Sequence, residues 1–354
     1  MRLMVLPGDG IGPEITAATL TVLNAASSRF GLKLDIAEDI VGHASLKKHG
    51  ATMREGLLDA VKAADGLILG PTSTYDFKDE SKGEINPSMY FRKNLDLFAN
   101  IRPARTYEGV KYKSVQPFDL VVVRENTEGF YADRNMVHGN AEMLVTEDVV
   151  VSLRRITRPA CARVARAAFE LANTRRKRVT IVHKANVLRI GDGMFIEECQ
   201  KCARDFPGVE VDDFIVDAMM AHVVRAPSRF DVIVTTNMFG DILTDLTAEL
   251  SGSIGLGGSL NAGARYAMAQ AAHGSAPDIA GKNLANPFSL ILSAALLLDW
   301  HGRRANERRY SEAARAIETA VEAAAKAGEI TGDIGGKLGT RETGAALAAR
   351  LTRA

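Results

Sequence analysis

Asp231-Val232-Ile233-Val234-Thr235-Thr236-Asn237-Met238-Phe239-Gly240-Asp241-Ile242-Leu243-Thr244-Asp245 joins two kinds of structure in one stretch. The apolar run at 231–236 reads as a buried strand. Gly240 then permits a sharp turn, and Asp241 opens a helix. Asp241 and Asp245 are four apart, so on a helix both carboxylates leave one face. Two like charges at that spacing repel. A hard divalent cation between them relieves the repulsion, because Mg²⁺ and Mn²⁺ prefer carboxylate oxygens. A strand that delivers carboxylates to its C-terminal edge suggests an active site in an α/β protein. Aspartate also suits a helix cap and a first helical turn, so the segment alone leaves both readings open.

Outward from this stretch, strand-like runs alternate with helical patterns. Residues 3–6, 67–69, 120–123, 179–182 and 232–234 read as short buried strands. Residues 13–30 read as a helix with proline in its first turn and Ile15, Ala18, Val22 and Ala26 on one face. Residues 311–326 form an alanine-rich helix stopped by Gly328. The alternation predicts an α/β fold whose sheets are covered by helices. Arg102-Pro103-Ala104-Arg105 breaks the pattern, and residues 251–258 are glycine-dense, so both are candidate boundaries.

The chain has 354 residues, 46% of them hydrophobic and 25% charged, enough for a large core and two lobes. A net charge of +1 gives no electrostatic case for nucleic acid or membrane binding. The basic run Arg175-Arg176-Lys177-Arg178 reads as a solvated turn. The apolar stretch at residues 1–7 is too short for a signal peptide, and no run is long enough to span a bilayer. Three cysteines point to a reducing compartment, hence the cytoplasm. Cys199 and Cys202 form a C-x-x-C, but on a helix-like stretch without a second ligand pair, which speaks against a redox or zinc role.

Gly8-Asp9-Gly10-Ile11-Gly12-Pro13-Glu14 follows a strand and opens a helix, as a Rossmann phosphate turn does. The fingerprint needs its third glycine where Pro13 stands, so this is a tight turn rather than that dinucleotide site.

Arg92, Arg102 and Arg124 stand near strand or helix ends, and arginine forks match carboxylates bidentately. Singly, each reads as a surface residue or structural ion pair. Beside an acidic metal site, they suggest a substrate with several carboxylates. Tyr131 and Lys184 each follow a buried strand and can serve as acid and base when their environment tunes them. Asp217 lies amid apolar residues and wants a partner or a cation.

With these blocks assembled, the chain resembles the β-decarboxylating dehydrogenases, the isocitrate/isopropylmalate dehydrogenase family. The resemblance rests on the Gly8–Glu14 turn, Leu97-Phe98-Ala99-Asn100-Ile101-Arg102-Pro103, Arg124-Glu125-Asn126-Thr127-Glu128-Gly129, His183-Lys184-Ala185-Asn186, residues 237–245, and His273-Gly274-Ser275-Ala276-Pro277-Asp278-Ile279-Ala280-Gly281, in the family's order. It implies two α/β lobes rather than a Rossmann fold: residues 1–100 with 250–354 on the cofactor side, and 101–249 for dimerisation, metal and substrate, with a cleft that closes over substrate. It implies Arg92, Arg102 and Arg124 as the clamp on the malate carboxylates, with Ser88 and Asn86 reading the third substituent. Tyr131 matches the residue that protonates the enol, and Lys184 the one involved in removing the hydroxyl proton. Asp217, Asp241 and Asp245 match the Mg²⁺ or Mn²⁺ carboxylates. His273, Gly274, Ser275, Ala276 and Asp278, with Ala285 and Asn286, resemble the adenosine and pyrophosphate loop.

Asp278 sits where NAD-using members carry an acidic residue; a carboxylate accepts ribose hydroxyls and repels a 2′-phosphate, so NAD is expected. Isopropylmalate enzymes typically place leucines at the positions of Ser88 and Met89 and glutamate at Ile85, and this chain departs at all three. Isocitrate enzymes use serine then asparagine two residues apart; here Asn86 precedes Ser88. The expected substrate is thus of isocitrate or homoisocitrate type, then 3-isopropylmalate, then D-malate or tartrate. The family is built on homodimers with shared sites, which would bring Lys184 and Asp217 from the neighbour. A regulatory paralogue or a two-lobed binding protein is the rival from another class.

Overall fold

The computed structural model describes residues 1–131 and 141–353. Its strands, in chain order, are β1 (Arg2–Leu6), β2 (Asp35–Glu38), β3 (Gly66–Leu69), β4 (Ala99–Arg105), β5 (Asp119–Glu125), β6 (Glu142–Thr146), β7 (Val149–Ser152), β8 (Arg178–His183), β9 (Glu210–Ile215), β10 (Val232–Thr235), β11 (Leu260–Ala262) and β12 (Ala267–Gln270). The helices are α1 (Gly12–Phe30), α2 (His43–His49), α3 (Leu57–Lys62), α4 (Pro87–Asn94), α5 (Arg158–Asn173), α6 (Arg189–Ala203), α7 (Val216–Arg225), α8 (Asn237–Ser251), α9 (Phe288–Ala305), α10 (Arg308–Lys326) and α11 (Thr340–Arg353).

The chain divides into two compact units. The first comprises residues 1–95, 106–112 and those from Ser251 onward; the second comprises 96–105 and 113–250. In the first, strands run in the order β2-β1-β3-β12-β11, parallel from β2 to β12, with β11 antiparallel to β12. β1 is buried from Leu3 to Leu6, as a parallel strand covered on both faces must be. α1 starts with Pro13 in its first turn and ends at Gly31, whose left-handed backbone caps it.

In the second unit the order is β4-β5-β10-β8-β9, with β4 antiparallel to β5 and the rest parallel. Alternate residues of β5 face opposite layers. Val121 and Val123 pack with Val164 and Phe169 of α5 and Phe195 of α6. Leu120 and Val122 pack with Met219 and Val223 of α7 and Leu243 of α8. The strand period of two thus places one helical layer on each side.

Two expectations need correction. Arg102 and Pro103 do not break the pattern; they lie inside β4, paired with Val122 and Val121. The chain leaves this unit only after Arg105. The basic run is not merely solvated either. Arg175 binds Asp231 at 2.8 Å and Asp119 at 2.8 Å, and the Asp231 carboxylate, 1% exposed, also accepts the Arg176 backbone N–H at 2.8 Å. A buried carboxylate at the mouth of β10 needs that cation.

The cysteines behave as core residues. Cys161, Cys199 and Cys202 are buried and unbonded to one another. Burial pushes the Cys161 thiol up to about 12 and raises both others, which keeps them as inert thiols. No helix among the described residues is long and apolar enough to cross a membrane.

Candidate active site

α8 begins four residues earlier than its acidic pattern suggests. Gly240 N–H already donates to Thr236 C=O at 2.9 Å, so Asp241 lies in the second turn rather than at the start. Gly240 is not a turn. A Cβ there would stand 2.5 Å from Arg124 Cγ, so glycine lets the Arg124 side chain lie against the helix.

Arg124 is 2% exposed at the end of β5. Its Nε and Nη2 donate to Asn237 Oδ1 at 3.0 and 2.6 Å, and its Nη1 pairs with Asp241. Tyr131 donates its hydroxyl to the other Asp241 oxygen at 3.0 Å, and the Arg124 guanidinium stands 5.7 Å from the Tyr131 ring centre. Arg102 of β4 is held from Nε by Asn100 Oδ1 at 2.7 Å; its Nη1 reaches Thr244 Oγ1 at 2.9 Å and Asp245 at 3.4 Å. Burial, with Arg124 nearby, pushes Arg102 down to about 10, against the pull of Asp241 and Asp245. Partial burial lifts Asp245 above its ordinary value; Asp241 adds to this and Arg102 opposes it. The second unit therefore gathers Arg102, Arg124, Tyr131, Asp241 and Asp245 around one face of α8.

Lys184 and Asp217 form a separate pair. Lys184 Nζ binds Asp217 in the first turn of α7, and that hydrogen bond holds the exposed Asp217 carboxyl below its ordinary value. The Lys184 backbone N–H donates at 2.6 Å to Asp192, which is fully buried and paired with Arg154 at 2.6 Å. Asp192 and Arg154 escaped the sequence reading because their spacing carries no motif.

Hard oxygen donors at positions 241 and 245 suit Mg²⁺ or Mn²⁺. Among the described residues, however, no group of three or more His, Cys, Asp or Glu side chains gathers around one point. A single chain offers two candidate ligands on α8 and leaves the third, Asp217, with Lys184.

In the first unit, Asn86 caps α4 by accepting the Met89 N–H at 3.2 Å, which assigns it a structural duty. Ser88 Oγ and Arg92 Nη2, a turn apart on α4, both donate to Gln270 Oε1, at 3.0 and 3.1 Å.

The glycine turn and the 273–278 loop interlock. Ile11 N–H donates to Ser275 C=O at 2.8 Å, and a Cβ on Gly10 would fall 1.9 Å from that oxygen. Asp9, 5% exposed, accepts the backbone N–H groups of His43 and Ser73 at 2.8 and 2.9 Å. Ser275 turns inward, its hydroxyl 3.0 Å from that of Ser73. A cavity of about 230 Å³ opens beside this junction. Of the expected cofactor residues, His273, Gly274, Ala276, Ala285 and Asn286 line it; Ser275 and Asp278 do not. Ile11, Leu284 and Asp333 line it too and were not anticipated. Asp333 accepts from Asn286 Nδ2 at 3.1 Å, Ser253 Oγ at 3.2 Å and Thr331 Oγ1 at 2.5 Å, and burial lowers the pKa of His273. Apolar walls with an amide and a carboxylate fit an adenosine-like group. A larger cavity of about 660 Å³, lined by Arg29, Ala320, Ala323, Glu329 and Arg350, contains none of these residues.

This α/β protein thus sets arginines paired to helix-borne carboxylates beside a tyrosine. Comparison with known proteins names the class. Residues 2–347 match the family described as isocitrate/isopropylmalate dehydrogenase, and the chain belongs to it. It is 39% identical over 321 residues to the 3-isopropylmalate dehydrogenase of Archaeoglobus fulgidus, covering 90% of each chain. It is equally identical over 321 residues to the isocitrate/homoisocitrate dehydrogenase of Thermus thermophilus, covering 90% of this chain and 89% of that one. Among solved structures, isocitrate dehydrogenase from Methylococcus capsulatus aligns with a TM-score of 0.87 at 37% identity over 99% of both chains. The protein is therefore a β-decarboxylating dehydrogenase, of a family that works with a divalent metal, a nicotinamide dinucleotide and a small carboxylate substrate.

Proposed function

We propose that this enzyme catalyses NAD-dependent, Mg²⁺- or Mn²⁺-dependent oxidative decarboxylation of a 3-substituted (2R)-malate, with isocitrate- or homoisocitrate-type substrates preferred. The observation that carries this reading is the contact of Arg124, Tyr131 and Asp241: a carboxylate-binding cation, a proton donor and a metal-type ligand held together. Asp241, Asp245 and Asp217 would hold the divalent cation, which supplies charge neutralisation at the oxygens of the substrate's hydroxyl end. Arg92, Arg102 and Arg124 hold the substrate carboxylates and orient the one that departs. A bound nicotinamide would supply hydride acceptance at the carbon that bears the hydroxyl, and Lys184 is placed to take that hydroxyl's proton. After loss of CO₂, Tyr131 gives a proton to the enol carbon.

The preference for a polar third substituent is supported by Ser88 and Gln270, which put polar atoms rather than an apolar wall at the start of α4. 3-Isopropylmalate is the alternative, then D-malate or tartrate. NAD over NADP is supported by the acidic residue Asp278 and, independently, by Asp333, whose negative charge lines the cavity. Presence of all the arginines and aspartates together with Tyr131 and Lys184 speaks against a regulatory subunit. Three buried, unbonded cysteines suit the cytoplasm.

The working form we propose is a homodimer with shared sites. The β6–β7 hairpin exposes Leu144, Val145 and Val150 at 70, 57 and 58%, an apolar ribbon that a second copy would cover. Asp217 and Lys184 would then complete the neighbour's set. A fully active monomer by light scattering contradicts this part.

A panel assay tests the whole: purified protein, Mn²⁺, NAD or NADP, and D-malate, tartrate, isocitrate, homoisocitrate or 3-isopropylmalate. NADH formation with one of them is expected; none with any of them removes the reading.

A further inference from the structure

Two residues assigned above to substrate binding converge on a third that no motif singled out. Gln270 ends β12 and is 8% exposed. Its side-chain oxygen accepts from both Ser88 Oγ and Arg92 Nη2. A guanidinium only donates, so the amide atom facing Arg92 is the oxygen, and Ser88 must donate to it as well. Both lone pairs of one carbonyl oxygen are thereby in use. An arginine side chain has many rotamers, and fixing one before ligand arrives lowers the cost of binding.

We propose that Gln270 is a positioning residue for substrate, which ties the Ser88 hydroxyl and the Arg92 guanidinium into one preset pair on α4. This rests on the functional reading above, in which both residues face a malate. A neutral carbonyl oxygen orients Arg92 without itself cancelling the guanidinium charge that a substrate carboxylate would meet. The sheet supplies the fixed point, because β12 is hydrogen-bonded to β3 on one side and β11 on the other.

The test uses the full-length protein with Mn²⁺, NAD and whichever panel substrate the wild type turns over best. Gln270→Met removes the acceptor at similar volume and should raise KM about tenfold while kcat stays within about threefold, the scale of one orphaned polar contact. Gln270→Glu keeps an oxygen acceptor but sets a negative charge against Arg92, so it should raise KM at least as far as Gln270→Met does. In an Arg92→Ala background, Gln270→Met should add about nothing further, since the effect passes through Arg92. Calorimetric binding of D-malate with Mn²⁺ gives the same comparison without turnover, and thermal melts of both variants check folding. An unchanged KM in Gln270→Met, or a wild-type KM in Gln270→Glu, overturns the inference while leaving the function intact. A wild type that neither binds nor turns over any malate removes the functional reading, and the inference with it.

Discussion

The junction of the glycine turn with the 273–278 loop and the charged face of α8 are both close-packed, but by opposite means. At the first, backbone meets backbone: Gly10, at φ 59°, leaves no room for a Cβ beside the Ser275 carbonyl. At the second, side chains meet: Gly240 is helical, and its missing Cβ makes room for Arg124. One site is defined by shape and the other by charge. Injury to the first should appear in folding, and injury to the second in chemistry.

Substitution of each glycine by alanine exposes this contrast most sharply. Gly10→Ala combines an unfavourable backbone angle with a collision against backbone, and should cost about 3 kcal/mol or more of stability. A thermal or denaturant melt reads it directly. Gly240→Ala meets only the stem of a side chain, so the melt should fall less while activity falls more as Arg124 is displaced. The reverse ranking would dissolve the distinction.

Asp241→Asn presses on the charged region alone. Turnover should drop about a hundredfold or more and the Mn²⁺ requirement should rise, with little change in melting temperature. Unchanged turnover would remove Asp241 from the metal and proton chemistry.

A smaller effect concerns Asp245, whose value in the folded chain is lifted above 3.8 by partial burial. A raised folded value means that its contribution to stability is present at low pH and declines as pH rises through the lifted value. Metal binding runs oppositely, because only the ionised carboxylate ligates. Melts of wild type and Asp245→Asn across pH should diverge as pH rises above 3.8, with the metal-free wild type losing ground, while the variant binds Mn²⁺ more weakly at neutral pH. Parallel curves would show that the folded chain does not disfavour the charged form of this carboxyl.

The smallest effect is expected at the cysteines, which belong to neither region. Their raised thiols should resist alkylation in the native state, leaving activity intact at neutral pH. Rapid loss of activity on alkylation would bring one of them to the site.

The buried strands were legible because their apolar runs are local signals, as at Val232–Thr235 and Arg178–His183. The start of α8 was misread because acidic residues at 241 and 245 imitate a helix beginning, although the hydrogen-bonded turn forms upstream from Thr236. Arg102 and Pro103 looked like an interruption because sequence shows a proline but not the antiparallel partner β5 that accommodates it. Asn86 and Ser88 looked alike in chemistry, but the fold directs one to a helix cap and the other to Gln270.

Sequence by itself determined the alternating α/β order, the family and the chemical types of the site residues, since periodicity and ordered motifs are written along the chain. Only the tertiary structure decided how those residues are paired: Arg124 with Asp241 and Asn237, Lys184 with Asp217 and, through its backbone, Asp192, and Ser88 with Arg92 through Gln270. Hydrogen bonds reach only about 3 Å, whereas the bonded partners lie from 8 to 182 positions apart along the chain. Such pairings exist only once the sheets and helices have packed.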